Sequence, residues 1–424
     1  MTLLARWAYS LLLTLLTPAY LLRLLWRART EPLYVHALGE RFGLYSQTHA
    51  KGQWVWLHAV SLGETRAAGA LVNALRTQEP GLRLLLTHGT ATGREAGRAL
   101  LRQGDAQVWL PYDTPGAVQR FLKHFEPRVG VLMETEVWPQ LLHQAHRQRV
   151  PMVLANGRLS ERSLRRGQRF SALLRPAAKQ LRLVMAQTEG DAQRFQLFGA
   201  PEVVVGGNLK FDMQPDEAQL AMGRNWRSLL SRPVVLAAST REGEEAPLLA
   251  AWKKQTAGLP QAPLLVIVPR HPQRFDEVAG LIESAGLVCE RRSGWTQAPH
   301  PQSLQADVWL GNSMGEMALY YSLAHVSLLG GSFAPLGGQN LIEAAACACP
   351  VVMGPHTFNF AQAAELALQA GAAWRVADVD AAMARALYLF SSSELAEASA
   401  RATGFASAHR GAAVNMAQAV ISLL

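Results

Sequence analysis

The sequence predicts an α/β protein, with two doubly wound, Rossmann-like domains facing across a cleft behind an N-terminal membrane-anchor helix. Three observations predict it. Short, wholly apolar runs alternate with amphipathic helical stretches along most of the chain, the pattern of parallel sheets covered on both faces. A length of 424 residues with 49% hydrophobic and 17% charged residues exceeds one typical domain and is too apolar for disorder. Residues 7–22, WAYSLLLTLLTPAYLL, form an unbroken apolar and small-residue run between Arg6 and the trio Arg23, Arg27 and Arg29.

That first run is short for a span of about 20 residues, although arginines at its ends can snorkel. No small-x-small cleavage site follows it, so residues 1–30 are expected to be an uncleaved anchor, spanning or interfacial. The excess of arginine after the run leaves the body of the protein on the cytoplasmic side. Residues 31–53 read as a polar connector.

Strand–helix units follow. Strands are expected at 54–58, 82–88, 107–110, 129–133, 151–155, 181–186 and 203–205, and a helix at 65–76 behind a turn at 59–63. A polar segment, 208–232, reads as a linker between a first domain, 31–207, and a second, 233–403. Strands of the second domain are expected at 233–239, 264–268, 286–289, 307–310, 324–329 and 350–353. Residues 380–424 read as alanine-rich helices broken at Gly404 and Gly411, with 404–424 a terminal helix packing back on the first domain. Ligands of doubly wound sheets bind at the carboxyl ends of strands, where the polar motifs of this chain cluster.

The net charge of +9 suits an anionic partner: nucleic acid, acidic lipid headgroups or a phosphorylated substrate. Three cysteines without a CxxC pair argue against a disulfide framework or a zinc site. No GxGxxG opens either domain and no GxxxxGK[ST] occurs, which disfavours dinucleotide-dependent dehydrogenases and P-loop enzymes.

The densest motif is LLGGSFAPLGGQNLIEAAACACPVVMGPHTFNF, 328–360. It reads as strand, glycine loop, helix over 341–349, and strand. Gly330-Gly331 and Gly337-Gly338 let backbone amides approach a ligand, and the helix start favours negative charge, so the loop is a candidate phosphate cradle. Glu343 stands one turn into the helix, where it can accept from a ribose. The plainer alternative is tight turns alone. Ser239-Thr240-Arg241, Arg270-His271 and Asn312-Ser313-Met314-Gly315-Glu316 end other strands of this domain and complete a candidate nucleotide pocket.

In the first domain Glu64 sits at a strand-to-helix turn, HAVSLGET. The helix start stabilises its anion, which makes it a candidate general base, and Gly63 leaves room for a substrate; the alternative is a simple helix cap. Glu134 and Glu136 flank Thr135 after the 129–133 strand, where they orient an acceptor hydroxyl, meet basic groups, or form a solvated loop. Asn156, Arg158, Ser160 and Arg162 follow the next strand, either gripping a phosphate or forming a solvated basic loop.

Nine ordered segments then carry a resemblance over nearly the full length: the N-terminal run, HAVSLGET, METEVWP, NGRLSERS, GNLKFD, STREGEE, PRHPQRF, GNSMGEM and the glycine-rich segment above. The chain resembles the 3-deoxy-D-manno-oct-2-ulosonic acid (Kdo) transferases of Gram-negative lipopolysaccharide assembly, which have the GT-B fold. The resemblance implies inverting, metal-independent transfer of Kdo from CMP-Kdo to a lipid A precursor (lipid IVA), with no cofactor and no nucleic-acid partner. It makes 31–207 the acceptor-binding domain and 233–403 the CMP-Kdo domain, on the cytoplasmic side of the inner membrane, whose lipids are a further partner. Glu64 matches the family's catalytic base and Glu134 an acidic position near the reaction centre. Ser239, Thr240, Arg241, Arg270, Met314, Gly315, Asn340 and Glu343 match donor-binding positions, joined by Lys210 in GNLKFD. Arg158 and Glu136 are assigned to the acceptor. One departure stands out: Gln339 occupies a place that reads His in GGHNPLE versions of the glycine loop. Two other readings stay open: a GT-B transferase that uses a UDP-sugar and a lipid acceptor, and a non-catalytic nucleotide-binding membrane protein.

Overall fold

The computed structural model describes residues 2–46 and 51–424; residues 47–50 of the polar connector lie outside the described residues. It divides into two compact units, Met1–Met213 with His409–Leu424, and Gln214–Ala408.

The first unit is built on seven parallel strands: β1 Trp54–His58, β2 Arg83–His88, β3 Ala106–Trp109, β4 Val129–Met133, β5 Met152–Gly157, β6 Leu183–Ala186 and β7 Val203–Val205. Their spatial order is β3-β2-β1-β4-β5-β6-β7. A strand's side chains alternate between faces, so one strand feeds two cores. Trp54 and Trp56 of β1 pack with Phe121, Phe125 and Leu132 on one side. Val55 and Leu57 pack with Leu71, Val131 and Val153 on the other. The helix Ala412–Ile421 closes that second face: Met416, Ala417 and Val420 join its core, and Asp212 accepts from the amides of Gly411 and Ala413 at the helix start.

Helix α1 spans Thr2–Arg27, longer than the apolar run, because the Leu-, Ala- and Arg-rich flanks propagate it in both directions. It is the one helix among the described residues long and apolar enough to cross a membrane. It also docks on the first unit through a polar stripe. Arg6 meets His143 Nδ1 at 2.8 Å, Tyr9 donates to Asp113, and Gln140 donates to Ser10. Leu4, Trp7, Leu11, Leu15 and Trp26 are left exposed.

The second unit holds β8 Val234–Thr240, β9 Leu264–Pro269, β10 Cys289–Arg291, β11 Val308–Leu310, β12 Val326–Leu329, β13 Val351–Met353 and β14 Ala373–Arg375. These are parallel too, in the order β10-β11-β9-β8-β12-β13-β14. β10 begins later than the sequence suggests because Gly286, at φ +73°, ends the preceding helix in a left-handed turn. β14 carries no apolar run that would announce it. Segment 208–232 contains a helix, Glu217–Ser228, that packs against Met317–Leu323. A Cβ on its Gly223 would lie 2.0 Å from Ser322 Oγ, so only glycine permits that approach. Gly404 lies inside the helix Glu394–Ala408 rather than breaking it, whereas Gly411 is a true break at φ +107°.

In each sheet the chain winds outward to one edge and later resumes on the far side of its first strand, so β1 lies beside β4 in the first and β8 beside β12 in the second. Adjacent βα loops diverge at such a point and leave a crevice at the carboxyl ends of the strands.

Candidate active site

The crevice of the first unit opens where β1 and β4 end. Helix α2, Leu62–Gln78, begins three residues before the position its apolar pattern suggests, because Ser61 caps it and accepts from the Glu64 amide. Glu64 therefore lies within the first turn. One of its carboxylate oxygens accepts from the Val60 amide at 2.8 Å and the other from Ser61 Oγ at 2.9 Å. The side chain is thus a cap and a poised carboxylate at once. Its acidity departs from the helix-start expectation: burial raises its pKa above the usual value, aided by the nearby charge of Glu134, and outweighs the hydrogen bonds that lower it. A raised pKa makes the carboxylate a stronger base.

Glu134 follows β4 in the left-handed region, φ +58°, an uncommon conformation for a non-glycine residue. Its amide donates to Ala155 O and its carbonyl accepts from the Arg158 amide. Lys210 Nζ stands 4.0 Å from its carboxylate. Asn156, also left-handed at φ +54°, is wholly buried, and its Oδ1 accepts from the Leu209 amide. Asn156 therefore fastens the GNLKFD segment and sets Lys210 beside Glu134; that role was invisible in the sequence, where Asn156 read as part of a basic loop. Arg158 is half-buried, and Arg162 is exposed on the helix Glu161–Arg169.

Glu136 is turned toward aromatic neighbours. It accepts from Trp138 Nε1, and its Oε2 lies 3.9 Å from Nε2 of the fully buried His58. Burial, then the charge of Glu64, pushes the Glu136 carboxyl up to about 7. Burial drives His58 the other way, down to about 3, so the imidazole is neutral; its Nδ1 is bonded to Thr87. Three carboxyl groups thus gather at one switch point, near one lysine.

The corresponding crevice of the second unit lies where β8 and β12 end. Ser239 is left-handed at φ +57°, and the β8–β9 register shifts around it between Ala238 and Thr240. A Cβ on Gly330 would lie 2.3 Å from Ser239 O, which explains the glycine after β12. Thr240 is buried, with Oγ1 unpartnered among the described residues. Its carbonyl accepts from the Arg270 amide, which sets the Arg270 side chain on the exposed edge. Arg241 Nε donates to Glu242 at 3.2 Å. Met314 is exposed, and Gly315 at φ +83° accepts from Gln219. Asn340 caps the helix Leu341–Ala346 by accepting from the Ile342 amide, and Glu343 is half-buried in the first turn of that helix. The helix is shorter than 341–349 because Ala348 turns left-handed, at φ +58°, and the Cys349 amide returns to Ala344 O.

The glycine loop departs from the open cradle expected of it. The amides of Gly331, Phe333 and Ala334 donate to a buried carboxylate, Glu244, rather than facing outward. Glu244 belongs to STREGEE, yet nothing in that string of acids distinguishes it from exposed Glu242.

The family model for 3-deoxy-D-manno-octulosonic-acid transferase (kdotransferase) matches residues 36–213. A 3-deoxy-D-manno-octulosonic acid transferase of Bordetella pertussis is 49% identical over 367 residues, 84% of this chain and 84% of that protein. The Haemophilus influenzae transferase of the same name is 35% identical, over 84% of this chain and 83% of its own length. Among solved structures, a glycosyltransferase from Rickettsia africae superposes with a TM-score of 0.59 at 11% identity, covering 88% of this chain and 98% of that one, a likeness of fold alone. The doubly wound pair of sheets is thus GT-B-like, and identity at this level over this length leaves one conclusion: the chain belongs to the Kdo transferases, a family of glycosyltransferases.

Proposed function

We propose that the protein transfers Kdo from CMP-Kdo to lipid IVA, the lipid A precursor, in one inverting displacement without a metal, and that Glu64 is the general base. The observation that carries this reading is Glu64 itself. It is a carboxylate fixed by two hydrogen bonds that leave lone pairs on both oxygens, with its proton affinity raised by burial. In the proposed step Glu64 takes the proton of a glucosamine hydroxyl as that oxygen attacks the anomeric carbon of Kdo. The bond from that carbon to the phosphate oxygen breaks, and CMP departs with the electron pair. Glu134, with Lys210 beside it, orients the acceptor, and Arg158 and Glu136 complete the acceptor side. Ser239, Thr240, Arg241, Arg270, Met314, Gly315, Asn340 and Glu343 bind the donor, with Lys210 also balancing its negative charge. No reaction step in this reading requires a metal.

The exposed apolar face of α1 and the basic balance of the chain support attachment to the inner membrane, with both units in the cytoplasm, where an anionic lipid acceptor is within reach. The test is direct. Detergent-solubilised protein, CMP-Kdo and lipid IVA are incubated with and without EDTA, and the lipid product is weighed by mass spectrometry. The expected result is a gain of one or more Kdo units, unaffected by the chelator. A lipid of unchanged mass, from folded protein with intact donor, would overturn the assignment of donor and acceptor.

A further inference from the structure

We propose that Glu244 is a positioning residue for the nucleotide donor: its carboxylate occupies the amide nest of the glycine loop and locks the loops after β8 and β12 to each other. The inference rests on the reading of the second unit as the CMP-Kdo site.

Glu244 is 4% exposed. Its Oε2 accepts from the Arg241 amide at 2.9 Å and from the Gly331 amide at 2.7 Å. Its Oε1 accepts from the amides of Phe333 at 3.2 Å and Ala334 at 3.4 Å. One donor belongs to the loop that follows β8 and three to the loop that follows β12, the two strands at the switch point. A buried carboxylate with no cation partner costs several kcal/mol unless convergent donors replace its hydration, and here four backbone N–H groups do so. A run of inward-facing backbone amides is an anion site by construction. In this protein the anion is part of the chain.

Two consequences follow. The amides of Gly331, Phe333 and Ala334 are not the phosphate contacts that the glycine-rich sequence suggests. The cationic and amide side chains beside Gly331 are then left to meet the phosphate: a Cβ on Gly331 would lie 3.2 Å from Gln339 Nε2 and 3.6 Å from Arg241 Cγ. Glu244 holds the Arg241 amide directly, and it fixes the Gly331 backbone that lies beside Gln339. Gln339 thereby gains a role that its departure from histidine had obscured.

The test compares full-length wild type with Glu244→Gln, which places an NH2 group against amide donors, and with Glu283→Gln, which changes an exposed carboxylate of the same unit. Kinetics are measured separately against CMP-Kdo and against lipid IVA. Glu244→Gln is expected to raise KM for CMP-Kdo at least tenfold, with KM for the lipid unchanged and kcat within about threefold. Glu283→Gln is expected to match wild type. An unchanged donor KM in folded Glu244→Gln protein would overturn the proposal, as would a fall in kcat alone, which marks a mere loss of active protein. Amide hydrogen exchange on the wild type settles the matter if the variant does not fold. Gly331, Phe333 and Ala334 should be protected without ligand and gain nothing on addition of CMP. A rise in protection with CMP would mean that phosphate, not Glu244, takes those amides. Wild type that neither binds CMP nor uses CMP-Kdo would instead refute the donor reading, while protection of the three amides in the free protein would still report the clamp.

Discussion

The first strand of each unit runs into a helix, and each places a carboxylate at that junction. Glu64 follows β1 and Glu244 follows β8. The two differ in what they hold. Glu64 accepts from its own turn, the Val60 amide and Ser61 Oγ, and its environment adds further acids. Glu244 accepts from two loops, with four amides around it. A carboxylate bonded within its own turn keeps a face for a substrate; one that ties together distant backbone spends both oxygens on the fold. Position after a strand therefore does not assign a role. The source of the hydrogen-bond donors does.

The largest expected effect tests the first half of that contrast. Glu64→Gln preserves the cap, since its amide oxygen still accepts from Val60, but removes the base. We expect kcat to fall about a thousandfold, within the usual range for a general base, with CMP binding and thermal stability near wild type. The wild-type rate should also fall as pH drops through the Glu64 pKa, which burial sets above the ordinary 4.5. That acidic limb should be absent from the residual activity of Glu64→Gln. A variant with near-normal kcat would remove Glu64 as base.

The second half is tested by Gly330→Ala. The new methyl would meet the Ser239 carbonyl at 2.3 Å and force apart the loops that Glu244 joins. Overpacking against backbone of this kind should destabilise the protein by about 3 kcal/mol, read by chemical denaturation. Loss of a few tenths only would mean that the loop accommodates the methyl and the clamp is soft.

Much of this architecture was legible in the sequence. The apolar runs announced every strand but β10, which shares only Cys289 with its expected span, and β14, and the glycines marked close approaches. Ser61-x-x-Glu64 is a readable capping box. The rest depended on contacts between residues distant in sequence. Glu242, Glu244 and Glu245 stand within four positions, and only the folded loops show that Glu244 meets residues 331–334. Asn156 read as part of a polar loop because its left-handed turn inward, toward Leu209, leaves no local signature. The position of β10 and the end of the 341–346 helix were both set by left-handed residues, Gly286 and Ala348. A glycine suggests such a turn; an alanine does not.

Glu136 probes the acidic surroundings of Glu64. The unfolded chain releases the Glu136 proton near the ordinary 4.5, whereas the folded protein keeps it up to about 7. The folded state thus binds more protons across that window, and stability falls as pH rises from about 4.5 to 7, then levels. Glu136→Gln removes this loss. It should match wild type near pH 4.5 and exceed it above pH 7, by at most ~3 kcal/mol for a shift of this size. Denaturation of both proteins at pH 5 and pH 8 measures the difference. A constant offset between them would place the Glu136 carboxyl at an ordinary pKa and weaken the case for a strongly desolvated acid cluster.

The smallest expected effect separates stability from function at the glycine beside the base. Unlike Gly330, Gly63 has room: the nearest atom to a Cβ there would be Ser61 Oγ at 4.0 Å. It lies in the first turn of α2, where alanine is the better helix former. Gly63→Ala should therefore stabilise the protein by about 0.5 kcal/mol. If an acceptor hydroxyl must approach Glu64 over that position, the same methyl should raise KM for the lipid several-fold and leave KM for the donor alone. A more stable protein with an unaltered lipid KM would show that the acceptor reaches Glu64 from another side. Gly63 would then serve the turn and not the substrate.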